Sequence, residues 1–131
     1  MARILVIDDD PAILVTAELV LKRAGHDVIT TSNPYAGLEC LEHTAFDLVM
    51  VDLFMPEMDG LEAITQIIMR YPDLAIIVVS GHPFEETAAQ RPDFLPTDRD
   101  AFISLGKPFR PADLLEAVGK CLAPDAGKAA S

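Results

Sequence analysis

Cysteine is scarce in this chain. Cys40 and Cys121 form no CxxC or Cys/His pattern, so neither a zinc site nor a disulfide framework is expected, and both read as buried thiols. Basic residues are few as well: 10 Lys and Arg stand against 21 Asp and Glu, giving a formal net charge of −11. Nucleic-acid affinity rests largely on Lys and Arg neutralising phosphates, so direct nucleic-acid binding is not expected. Such a surface would steer a basic protein partner or gather divalent cations, and acidic solubility without any role is an equally open reading. Long hydrophobic runs are missing at the N-terminus, where Ile4 to Ile7 gives way at once to Asp8, Asp9 and Asp10. That run is far short of a signal segment or a membrane span, and a reducing cytoplasm is the expected setting.

What remains is a chain of 131 residues, 50% hydrophobic and 24% charged, long enough for one domain with a substantial core and too short for two. Arg3 to Ile7 reads as a strand with apolar residues on successive positions, the pattern of a parallel sheet covered on both faces. Asp10 and Pro11 then open a helix, Asp10 as cap and Pro11 at the first helical position, with Ile13, Leu14, Ala17, Val20, Leu21 and Ala24 on one stripe before Gly25. The alternation repeats: a strand over 27–30, a helix opened by Asn33 and Pro34 with Leu38 and Leu41 inward, a strand over 47–51, and a helix from about Leu61 carrying Ile64, Ile67 and Ile68. Pro72 and Asp73 end that helix, and residues 74–79 form the most apolar strand. A strand over 101–105 and a helix opened by Pro111, with Leu114, Leu115, Val118 and Leu122 inward, complete the pattern before a small-residue tail.

Alternating strands and helical stripes predict an α/β fold with an open, doubly wound parallel sheet and right-handed crossovers. Ligands bind such sheets outside the carboxyl ends of the strands. Asp8 and Asp9 follow the first strand, Asp52 the third, Ser80 the fourth and Lys107 the last, so all are expected on one rim. Crowded carboxylates repel by about 4 kcal/mol per pair at 4 Å and an effective dielectric near 20, a cost that a divalent cation relieves. A cation, a nucleophilic carboxylate, a lysine and a hydroxyl around one anionic group make a phosphoryl-transfer site.

The segments IDDDP, DLVMVDLFMPEMDG, VVSG and KPF, in that order, resemble the receiver domain of two-component response regulators over residues 3 to 122. The resemblance implies a flavodoxin-like fold with five parallel strands in the order 2-1-3-4-5 and five helices. It implies that Asp52 is the phosphoacceptor for a sensor histidine kinase or phosphotransfer protein. It also implies that Asp8, Asp9, Asp52 and the backbone carbonyl of Phe54 hold Mg²⁺, a hard cation bound by a few carboxylates, waters and the phosphate. Lys107 would pair with the phosphoryl oxygens, and the Ser80 hydroxyl would turn toward them with a movement permitted by Gly81. Pro108 matches a position that often follows a cis peptide, and Met55, Pro56, Asp59 and Gly60 match the turn after the acceptor. Residues 1–123 would be the receiver and 124–131 a flexible tail. The chain would catalyse only its own phosphorylation and dephosphorylation, and signal to a downstream protein or output domain.

The chain departs from the family pattern in two places. The stretch from Ser80 to Lys107 is longer than usual and contains Pro83, Pro92 and Pro96, so an irregular fourth helix is expected. Ser104 stands where relatives often carry an aromatic switch residue, with Phe102 two positions earlier on the same strand face. Phe54 would shield an acyl phosphate from water, whereas His82 reads as a solvated loop imidazole. Two other readings stay open: a degenerate receiver used for docking or homodimerisation, and a metal-dependent phosphohydrolase. The hydrolase reading suffers from Phe54, which stands where the haloacid-dehalogenase type needs an acid.

Overall fold

A computed structural model describes residues 2–52, 60–80 and 102–122. In chain order the elements are β1 (Arg3–Ile7), α1 (Pro11–Arg23), β2 (Asp27–Thr31), α2 (Pro34–His43), β3 (Leu48–Asp52), α3 (Gly60–Arg70), β4 (Ala75–Ser80), β5 (Phe102–Gly106) and α4 (Pro111–Leu122). All strand pairings are parallel, and the sheet runs β2-β1-β3-β4-β5. This is the order expected of the flavodoxin-like fold. The expected irregular fourth helix and the tail at 124–131 lie outside the described residues.

Period-two alternation along each strand divides the core into two layers. Leu5, Ile7, Val49, Val51, Ile76 and Val78 face Leu38 and Leu41 of α2 and Ile64 and Ile67 of α3. Ile4, Val6, Leu48, Met50, Ile77 and Val79 face Ala17 and Leu21 of α1 and Leu114, Val118 and Cys121 of α4. Because helices cover both faces, the central strands are unbroken apolar runs up to their carboxyl ends, where Asp52 closes β3 and Ser80 closes β4.

Local chemistry sets where the helices begin and end. The Asp10 side chain accepts the Ala12 amide at 2.9 Å with Pro11 behind it, as expected of a cap. Asn33 does the same for α2, accepting from Tyr35 at 2.8 Å and Ala36 at 3.2 Å. Gly25, with φ 95°, reverses the chain after α1 while the His26 amide donates to the Leu21 carbonyl at 3.1 Å. At α4 the Asp113 carboxylate reaches back to the Arg110 amide at 3.0 Å, satisfying one of the free donors of the first turn.

Several expectations need correction. Ala24 is the exposed C-cap of α1 rather than part of its inward stripe, because the helix has already ended. Leu115 is 40% exposed, since its neighbour Leu114 takes the inward direction and successive helical residues diverge by about 100°. Cys40 is only partly buried, at the flank of the α2 face that Leu38 and Leu41 occupy, while Cys121 is buried. Strands β3, β4 and β5 each begin and end one residue later than the apolar runs suggest. Asp52 and Ser80 are thereby the last residues of their strands rather than the first beyond them. Among the described residues no helix is long and apolar enough to cross a membrane.

Candidate phosphoryl-transfer site

At the carboxyl rim of the sheet, β1 and β3 are adjacent and in register, with Ile7 opposite Val51, so the residues that follow each emerge side by side. Asp8 comes directly after Ile7 and Asp52 directly after Val51. Both carboxylates are almost fully enclosed, Asp8 at 1% and Asp52 at 4% exposure, whereas Asp9 beside them is exposed. One carboxylate oxygen from each of Asp8, Asp9 and Asp52 falls within 4.8 Å of the others. Asp10 stands apart from this cluster, its carboxylate engaged in capping α1.

Lys107, immediately after β5, enters from the far side. Its Nζ lies 3.1 Å from Asp8 Oδ2 and 3.3 Å from Asp52 Oδ2. The Lys107–Pro108 peptide bond is cis, in agreement with the expectation. Ser80 closes β4 opposite Gly106, so its backbone reaches the same rim. The Ser80 side chain lies outside the described residues, as do Phe54, His82 and the side chains of Phe102 and Ser104.

Burial pushes the Asp8 carboxyl above the ordinary carboxylate range, against the opposing pull of the Asp10 amide and Lys107. For Lys107 burial works against the charge, but pairing with Asp8 and Asp52 outweighs it and raises the ammonium above the usual lysine value. The two directions are compatible: one ammonium is held by two carboxylates, while each carboxylate has only a share of one ammonium. Three carboxylates and one ammonium leave two negative charges in excess, which equals the charge of one divalent ion.

A second observation points the same way. Asp8 Oδ2 is buried and accepts no hydrogen bond, the nearby ammonium being poorly aligned for one. A buried polar atom left so is costly, and a cation would satisfy it. The donors are all oxygens, the set preferred by hard ions such as Mg²⁺ rather than by zinc or copper. The residues present therefore fit a magnesium ion.

Two supports of Asp8 were not legible in the sequence. The Asp10 amide donates to Asp8 Oδ1 at 2.9 Å, and the Asp8 amide donates to the Thr31 carbonyl at 3.1 Å. Both use backbone groups, which look alike at every position: the first is a local contact two residues along the chain, and the second continues the pairing of β1 with β2. A concavity of about 690 Å³ opens at the opposite rim, lined by Leu41, Glu42, Phe46, Arg70 and Tyr71 among others. Its Arg70 guanidinium is tied to Glu42 at 3.0 Å, and none of the carboxylates of the cluster reaches it.

Comparison with known proteins agrees with the geometry. The family model described as the response regulator receiver domain matches residues 4–119. The DNA-binding transcriptional regulator NtrC of Azospirillum brasilense is 37% identical over 121 residues, which cover 92% of this chain and 24% of that protein. This chain thus spans about a quarter of the NtrC relatives it matches. The response regulator receiver protein CpdR of Brucella abortus is 34% identical over 122 residues, covering 93% of this chain and 98% of that one. Among solved structures, a CheY-like response regulator receiver domain protein from Methanospirillum hungatei JF-1 superposes with a TM-score of 0.81 at 30% identity, covering 98% of both chains. With the matched fold, the strand order and the acidic cluster all in agreement, the chain belongs to the response regulator receiver domain family.

Proposed function

We propose that this chain is a two-component receiver that accepts a phosphoryl group on Asp52 from a sensor histidine kinase or phosphotransfer protein, in a reaction that requires Mg²⁺. The observation that carries this reading is the enclosed Asp52 carboxylate, shared between the Asp8/Asp9 cluster and the Lys107 ammonium at 3.3 Å. An Asp52 oxygen forms the new O–P bond as the P–N bond to the donor histidine breaks, and the electron pair of that bond returns to the imidazole nitrogen. Phosphoryl transfer demands little covalent push and much positioning and charge stabilisation. Lys107 supplies a fixed positive charge toward the phosphoryl oxygens, and burial of Asp52 keeps bulk water from competing. Asp8, Asp9 and Asp52, with the Phe54 carbonyl as a further ligand, would hold the magnesium ion. When bound, the ion neutralises charge on the carboxylates and on the transferring group.

Phosphorylation adds an anion at a rim where β3, β4 and β5 end together, and Ser80 is the hydroxyl that would follow it. A loop arrangement that contacts the new group better gains population, and a downstream protein or output domain reads the change. The receiver unit is residues 1–123, with 124–131 as a tail. Free thiols suit the reducing cytoplasm. The chain transforms no external substrate beyond taking up and releasing its own phosphoryl group.

Incubation with Mg²⁺ and a small phosphodonor, followed by mass spectrometry, tests the reading. One phosphoryl group is expected on the wild-type chain, with none on Asp52→Asn and none in the presence of chelator. Repeated turnover of phosphomonoesters would favour a hydrolase, and no modification at all would favour a degenerate docking module.

A further inference from the structure

Helix α2 contributes no side chain to the acidic cluster, yet it presses on the residues that hold it. A Cβ added to the buried Gly37 would overlap Ile7 Cδ1 and Cγ1 and stand 3.5 Å from Thr31 Cγ2. Those two neighbours are the immediate supports of Asp8: Ile7 precedes it in β1, and the Thr31 carbonyl accepts its amide at 3.1 Å. Ile7 also stands opposite Val51, the residue before Asp52. It is fully buried in the layer that contains Leu5, Leu38, Val49 and Val51, and its β-branched side chain is stiff about χ1. It cannot swing aside without displacing a close-packed layer. Anything larger than hydrogen at position 37 must therefore be absorbed by the carboxyl end of β1 or by withdrawal of α2. A glycine inside a helix is unfavourable relative to alanine, so the close approach is what this one serves.

We propose that Gly37 is a positioning residue for the acidic cluster: by lacking a side chain it lets α2 close on Ile7, alongside Thr31, which fixes the Asp8 carboxylate relative to that of Asp52. The inference rests on the magnesium-binding reading above, and it makes the spacing of α2 from the sheet a determinant of metal affinity.

The test measures Mg²⁺ binding to the full chain by titration calorimetry, at a temperature where thermal melts show each variant folded. Gly37→Ala is expected to bind Mg²⁺ about tenfold more weakly, the scale on which supports behind a metal ligand act. Adding Ile7→Val, which removes the closer overlap at Cδ1 and leaves only the Cγ1 contact for the shortened side chain to relieve, is expected to recover most of the lost affinity. If Gly37→Ala melts lower but binds Mg²⁺ as the wild type does, Gly37 only packs the helix and the inference fails. Should Gly37→Ala not fold, the double variant decides, since a folded double variant with weak binding overturns the proposal and one with near wild-type binding supports it. A wild-type chain that takes up no Mg²⁺ would instead overturn the functional reading, and this inference with it.

Discussion

Asp9 differs from its two partners in being exposed, and that difference makes it the residue at which the electrostatics can be read separately from the packing. In metal-free protein its charge adds to the repulsion within the cluster and helps to raise the Asp8 carboxyl. Asp9→Asn is therefore expected to stabilise the chelator-treated protein by up to about 1 kcal/mol, the scale of an exposed charge pair. In saturating Mg²⁺ the order should reverse, because the wild type gains more from the ion. Paired thermal melts with and without Mg²⁺ check this, and a variant that is destabilised in chelator would contradict the account of excess charge. The same contrast explains what was legible at this scale. Asp8, Asp9, Asp52 and Lys107 announce themselves because charged residues directly follow apolar runs. The Thr31 carbonyl and the Asp10 amide leave no mark, since backbone donors and acceptors look alike at every position.

Among the elements, α4 gives the clearest case of a helix held by its first turn. The Asp113 carboxyl lies below the ordinary carboxylate range, chiefly because it accepts the Arg110 amide and then because the Arg110 side chain is beside it. A carboxylate with a lowered folded-state pKa adds stability above the unfolded value, and that contribution is lost as pH falls through the folded value. Asp113→Ala should thus melt below the wild type at neutral pH, with the gap closing as the solution becomes more acidic than the ordinary carboxylate range. A pH series of thermal melts on both proteins is the check, and a gap independent of pH would point to helix propensity instead. Helix starts were legible because Asp10–Pro11 and Asn33–Pro34 combine a side-chain acceptor with a residue that needs no amide partner. Facing was less so: Leu114 and Leu115 are equally apolar, and only the packing against β4 and β5 decides which one turns inward.

For the molecule as a whole, the two thiols give a graded probe of how it opens. Cys121 is buried in the layer between α4 and the sheet, and burial pushes its thiol up to about 12. Thiolate is the reactive species, so Cys121 should react with an alkylating agent at mildly alkaline pH only when that layer comes apart. Partly buried Cys40 should react first. Mass spectrometry of timed alkylation in increasing denaturant should therefore show single labelling in the native state and double labelling along the unfolding transition. Early labelling of Cys121 would mean that α4 detaches on its own. The architecture at this scale was legible because a sheet with helices on both faces needs apolar strands throughout. The spacing of α2 from that sheet was not, because it depends on Gly37 meeting Ile7 across the core.

Strand order carries a temporal consequence. With β1 between β2 and β3, and with β4 and β5 added outward in turn, a chain emerging from the ribosome can extend its sheet one neighbour at a time without waiting for a distant segment. The carboxylates of Asp8 and Asp52 come together when the third strand joins, but their ammonium counterpart is delivered only by the fifth. In that order of assembly the anionic pocket would form before its ammonium arrives, and completion of the domain would supply the single positive charge that the pocket shares.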